Sequence, residues 1–308
     1  GHMPTFLRNL FFGILLILVV FFPFFGEAAM TSSNYEIQWD SVGVGGESTA
    51  SSATYKVRDS LEFIQGVGNS SSYRVDDGFR GGLYDPLVHF NVMAQNTGSQ
   101  VAATAITSTT VTVTTAAAYA VGDFIIVIQD EGLGQVEAMG KITSIGGSTI
   151  TVDFFQFATS LPVIDGADDV VYELSGSTIP LTSLSPTTVT TGVLGWEVDA
   201  DIPTGYSVYV LEDQDLQTAG ADVLNDVSDG AVTATEEEYG GKSSDTSLTG
   251  STFDTVDTAF TSSFQQVASR TRATLKARDF LTLKAAASST TADGDYSHTL
   301  TVVFVGNY

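Results

Sequence analysis

The sequence predicts an all-β fold: a small leader β-module, then a β-sandwich with an inserted small β-barrel, the whole preceded by a hydrophobic signal helix. Three observations predict this. Gly, Ser, Thr, Ala and Val dominate while Lys and Glu are scarce, a composition that favours pleated strands over helices. Apolar and polar residues alternate with period 2 in short runs. Glycine-rich turns punctuate those runs, as in sandwiches and barrels. The 43% of hydrophobic residues suffices for two or three small cores. No cysteine is present, so disulfides, thiolate chemistry and cysteine zinc sites are excluded.

Residues 10–25, LFFGILLILVVFFPFF, carry no charge. Arg8 precedes them, and Gly26, Ala28 and Ala29 follow. At about 1.5 Å per residue such a helix reaches roughly 24 Å, short of the ~30 Å hydrocarbon core. Pro23 breaks it near its end. A positive lead, a short apolar run and a small-residue exit read as a secretory signal peptide over residues 1–28, with an uncleaved anchor as the rival. Gly1-His2 before Met3 reads as a cloning remnant. Cleavage would remove only Arg8 and Glu27, leaving the formal charge at -24. That acidity excludes nucleic acid as a partner class, because phosphate binding needs clustered Lys and Arg. The expected setting is extracellular or at the cell surface, with no membrane contact after cleavage.

Residues 29–86 form a Tyr-repeat β-module. Ser33-Asn34-Tyr35-Glu36-Ile37 recurs as Ala53-Thr54-Tyr55-Lys56-Val57 and as Ser71-Ser72-Tyr73-Arg74-Val75. In each copy the Tyr and the β-branched residue stand two apart and share a strand face. Tyr35, Tyr55 and Tyr73 either line the inner face of a small sheet or form a stacking platform for a glycan or protein.

Asp85-Pro86 marks a boundary, and residues 87–118 with 175–308 are read as the sandwich. Strands are expected at 87–95, 109–115, 194–198, 206–211, 263–284 and 295–305. Between the two sandwich segments, 119–174 reads as the inserted barrel, with four short strands separated by Gly turns. This insert resembles the SH3-like barrels of phage and bacterial surface proteins in Ala120-Val121-Gly122-Asp123, in KITSI at 141–145 and in STITVD at 148–153. The larger body resembles a family of uncharacterised secreted bacterial β-sandwich proteins. Thr204-Gly205-Tyr206-Ser207-Val208, Asp226-Val227-Ser228-Asp229-Gly230, Glu237-Glu238-Tyr239-Gly240 and the closing run DYSHTLTV at 295–302 carry that likeness. The SSxY repeats resemble the same family's leader. The family implies a surface or extracellular location and supplies no activity.

An acidic region over 212–240 invites a metal. Asp213-Gln214-Asp215 has the spacing of a calcium loop, but Thr218 and Leu224 occupy the sixth and twelfth positions, where an EF-hand needs Gly and a carboxylate. A looser calcium site is expected from Asp213, Asp215, Asp226 and Asp229, against a plain solvated loop; no other cofactor is expected. His89 and His298 stand beside no nucleophile motif, so no triad is expected. Carboxylate pairs for glycoside hydrolysis cannot be read from sequence spacing.

Arg270, Arg272, Lys276 and Arg278 fall on even positions of one expected strand and would share one face. They read either as cross-strand partners of carboxylates or as a docking stripe for the acidic loops of a second copy. Leu300, Val302 and Phe304 share a face of the last strand, which either pairs within its own sandwich or is donated to a neighbour. The expected role is a non-catalytic extracellular structural protein, a homo-oligomeric or polymeric subunit or decoration of a cell-surface layer or filament. The alternatives are a glycan- or protein-binding adhesin and, third, a secreted polysaccharide hydrolase.

Overall fold

The computed structural model describes residues 87–307 apart from 133 and 167, together with short strand pairings between residues 31 and 76. The expected signal segment, 1–28, lies outside the described residues. In the leader, β1 (Thr31–Ser32) pairs with β2 (Tyr35–Glu36), while β3 (Ala50–Ser51), β4 (Lys56–Val57), β5 (Val67–Asn69) and β6 (Arg74–Asp76) form an antiparallel sheet in chain order. Tyr35 lies in β2. Tyr55 and Tyr73, each immediately before a strand, lie outside the described residues.

From Val88 onward the described chain is all-β. Its strands are β7 (Val88–Ile106), β8 (Thr110–Val113), β9 (Phe124–Gln129), β10 (Val136–Gly146), β11 (Thr149–Phe157), β12 (Val170–Leu174), β13 (Thr190–Ala200), β14 (Tyr206–Glu212), β15 (Glu238–Ser243), β16 (Gln265–Arg270), β17 (Thr274–Ala286) and β18 (Leu300–Gly306). No helix of the described residues is long and apolar enough to cross a membrane.

A closed barrel of 6 strands runs β7, β8, β11, β10, β9, β12 and back to β7. Closure explains the composition of β9, FIIVIQ. Ile125 and Val127 fill the barrel with Val111, Ile142, Ile150 and Val171. Phe124, Ile126 and Ile128 point outward yet stay buried, because the barrel wall leans on a second sheet. A strand covered on both faces reads as an unbroken apolar run. The Ala120–Asp123 turn seals one end of the barrel. The Asp123 carboxylate accepts the Ala120 N–H at 2.6 Å, Gly122 takes φ +101°, and the Gly122 N–H donates to the Ile142 carbonyl at 2.9 Å.

The sandwich sets β7, β13, β17 and β15 against β16, β14 and β18. Trp196, Leu281, Leu283 and Tyr239 of the first sheet meet Tyr206, Val208, Val210 and Val267 of the second. Each such side chain contributes roughly 1.5–3 kcal/mol on burial, which stabilises a fold without disulfides. β18 pairs with β14 of its own sandwich along its whole length, and Leu300, Val302 and Phe304 pack partly buried against that core.

β7 belongs to both bodies. Residues 88–94 pair with β13, and the strand then continues into pairing with β12 and β8. The barrel expected over 119–174 therefore starts earlier and takes in the second half of β7 and all of β8, which the sequence reading assigns to the sandwich. The inward face switches at the junction from Phe90, Val92 and Ala94 to Val101 and Ala103, with a register irregularity against β12 between Asn96 and Val101.

The outer faces of β13 and β17 form the joint. Val193 and Phe280 pack with Met93, Met139, Tyr172 and Leu174. Gly195 permits this approach: a Cβ there would stand 2.8 Å from Leu174 Cδ1 and 3.1 Å from Met139 Sδ. Arg278 crosses the joint, with its Nη1 and Nη2 each donating to the Asp153 carboxylate at 2.7 Å and its Nε donating to Glu197 Oε2 at 2.8 Å. Its guanidinium carbon lies 4.3 Å from the centre of the Phe154 ring. The Thr282 hydroxyl adds a bond of 2.6 Å to Glu137 Oε1.

Candidate functional site

The expected strand over 263–284 is two strands in different sheets. The chain crosses the sandwich at residues 271–273, between β16 and β17. Gly205 lies against this crossing at φ +79°, where any Cβ would overlap the Arg270 carbonyl. A bulge follows: the register slips between Val198 and Ala200, and Lys276 takes φ +55°. A crossing and a bulge both break period 2, so the four cations do not share a face. Arg270 points between the two sandwich sheets and donates to Asp279 at 2.7 and 2.9 Å and to Asp245 at 2.9 Å. Burial alone would lower its guanidinium, but Asp279, with Asp245 behind it, holds it above the ordinary arginine range. Arg278 points the other way, under the barrel, and is 1% exposed. Arg272 and Lys276 are exposed. The docking stripe is thereby corrected: Arg270 and Arg278 are internal ion-pair partners. Arg278 stands directly opposite Glu197 in the ladder, the cross-strand pairing weighed above.

The acidic region resolves differently from the expected set. Glu212, Asp215 and Asp226 each bring a carboxylate oxygen within 4.8 Å of the others. Asp213 turns away and accepts the Thr299 N–H at 2.7 Å. Asp229 accepts the N–H of Ala231 at 3.0 Å, a local turn contact. So two of the four expected ligands converge, Asp213 and Asp229 do not, and Glu212 joins in their place. The elements explain the meeting. Tyr206, Val208 and Val210 face the core, and period 2 carries that inward face of β14 onto Glu212 at its end. Asp215 stands in the loop just beyond. Asp226 is carried in by a parallel bridge to Tyr239 of β15, flanked by the Val227 N–H donating to the Tyr239 carbonyl at 2.9 Å.

Glu212 is 4% exposed, and its Oε2 is buried without a hydrogen-bond partner. His298 Nδ1 lies 3.3 Å from that oxygen and 3.3 Å from the Gln214 carbonyl, while its Nε2 lies 2.9 Å from the Tyr239 hydroxyl. Burial lowers the imidazole's pKa below its usual value, more than Gln214, Asp213 and Asp215 raise it. Burial, and then the charges of Asp226, Asp215 and Asp213, push the Glu212 carboxyl up to about 7. Burial and Asp215 raise Asp226 as well. No Lys or Arg pairs with these three carboxylates among the described residues.

Beside the cluster opens a cleft of 1010 Å³, with Ile179, Leu184, Tyr239, Tyr296, His298 and Leu300 among its lining. Tyr239, Phe260 and Phe253 stack beneath it with ring centres 5.3 and 5.5 Å apart. His298 stands edge-on to Tyr239 at 5.1 Å and is the polar end of that aromatic column. Three carboxylates at this spacing can offer a hard cation up to six oxygens.

No protein-family model, curated protein or solved structure matches the chain. The kinship expected from the SSxY repeats, the barrel motifs and the closing strand rests on those residues alone.

Proposed function

We propose that the protein is a non-catalytic extracellular structural protein, a subunit or decoration of a cell-surface layer or filament. What supports this reading is the joint: two β bodies share the single 19-residue strand β7, and the Arg278 ion pairs and an apolar cluster clamp them together. A continuous strand through two closed cores resists bending where a loop linker would hinge. Such a stiff unit suits a load-bearing surface structure. β18 and β16 are the outer strands of their sheet, and edge strands carry unpaired backbone groups on which a further strand can add. Subunit contact is assigned to these edges and to the exposed Arg272 and Lys276.

Negative-stain electron microscopy and light scattering of the purified chain test the proposal. Regular fibres or sheets are expected, and a Pro at Val302 of β18, whose N–H faces away from β14, should abolish them while leaving the β14–β18 ladder intact. Dispersed monomers at all concentrations would remove the filament reading. They would favour a second reading, an adhesin, which the cleft beside Tyr296 and His298 supports. That reading predicts retention on a glycan array, reduced by Tyr296→Ala.

A further inference from the structure

We propose that Glu212, Asp215 and Asp226 form a binding site for a hard divalent cation, calcium in particular, at the end of β14 beside the cleft. This site stands apart from the structural role and does not depend on it. Two independent observations carry it. The first is the convergence itself: a strand end and two points, eleven residues apart, of the connection that follows it bring carboxylate oxygens within 4.8 Å. The second is the buried, unpartnered Glu212 Oε2. A carboxylate oxygen taken from water without a partner costs several kcal/mol. Native folds rarely leave such an oxygen without a water or a ligand on it. His298 Nδ1 lies 3.3 Å from Glu212 Oε2 and equally close to the Gln214 carbonyl, so it is shared between the two.

The donor chemistry selects the cation. All three ligating groups are carboxylates, which suits a hard ion. Calcium accepts irregular sets of six to eight oxygens, mono- or bidentate, at about 2.3–2.6 Å, whereas magnesium demands a regular octahedron and keeps most of its water. A set with one fixed buried carboxylate and two exposed ones on loops is irregular, and water can complete it. The mechanical consequence follows from connectivity. Asp215 and Asp226 lie on the chain between β14 and β15, so the ion would tie that long connection to the strand end.

Isothermal titration calorimetry of the chelator-treated full chain with calcium chloride tests the site, with thermal melting as a second readout. The expected result is one calcium per chain and a higher melting temperature with calcium. Affinity should fall at least tenfold in Asp226→Asn and be lost in Glu212→Gln. Asp226 is exposed, so its variant folds even if the buried one does not. Absence of calcium binding would overturn the proposal. So would binding that survives both substitutions unchanged, and tighter binding of magnesium would overturn the calcium assignment.

Discussion

Glu212 sits in an environment that opposes its charge. Its carboxyl is raised to about 7 by burial and by the acids beside it. A carboxyl raised on folding binds its proton more tightly in the folded than in the unfolded state. Its contribution to stability is therefore fully present below its unfolded pKa near 4.5 and is lost as pH rises towards 7. At about 1.4 kcal/mol per unit, the loss reaches at most about 3 kcal/mol. Asp153, lowered because the bonds and charge of Arg278 outweigh its burial, acts with the opposite sign at more acid pH. Comparing wild type with Glu212→Gln isolates the effect. In chelator, urea unfolding at pH 4.5 and 7.5 should show the wild type losing stability relative to the variant as pH rises. Parallel pH profiles would show Glu212 to be solvated. Glu212 was legible in principle: the alternation Tyr206, Val208, Val210 points at it. The sequence reading anchored the calcium loop on Asp213 instead, because spacing within a loop carries no information about which way a strand end faces.

At the scale of elements, β17 shows how one strand serves two interfaces. Asp279 and Leu281 face the sandwich interior, while Arg278, Phe280 and Thr282 face the barrel. Replacing Arg278 with Met should cost about 3 kcal/mol, since buried Glu197 then keeps only Lys141 at 3.5 Å and half-buried Asp153 loses its two guanidinium bonds. Adding Asp153→Asn and Glu197→Gln to that variant should recover a large part of the loss, as removal of a whole buried ionic group is far cheaper than breaking it. Chemical denaturation of the single and triple variants measures the coupling. Losses that simply add would mean the three groups are independent. The strands most easily read from sequence, β9, β10 and β14, are those with strong apolar runs. β15, Glu238-Tyr239-Gly240-Gly241-Lys242-Ser243, escaped because it looks like a continuation of the acidic loop. Its glycines are there for space: a Cβ on Gly241 would lie 2.7 Å from the Phe260 ring. The small, polar appearance of this strand is thus a product of packing that only its neighbours reveal.

At the scale of the molecule, barrel and sandwich should unfold as one unit. They share β7, and the apolar cluster that joins them contains residues from β7, β9, β10, β12, β13 and β17. Opening either body exposes that cluster, so the sandwich and barrel cores are expected to unfold together. In a Trp39→Phe background, Trp196 fluorescence reports the sandwich, while far-UV circular dichroism reports all strands. Both should follow a single urea transition with one midpoint. Separate midpoints would mean that the shared strand does not couple the bodies and would weaken the stiff-unit reading of function.

Composition, period 2 and glycine punctuation by themselves determined the all-β class, the presence of a barrel beside a sandwich, and most strand positions from residue 87 onward. Those signals act over a few residues, and strand alternation is a local consequence of backbone geometry. Only the tertiary structure decided that β7 runs through both bodies, that Arg270 and Arg278 point into different interfaces, and that Glu212 meets Asp215 and Asp226. The physical reason is the same in each case. A chain crossing, a one-residue bulge and a strand end each reassign a side chain's neighbours without changing local composition, and the partners that then fix its charge and burial are separated from it by long stretches of chain.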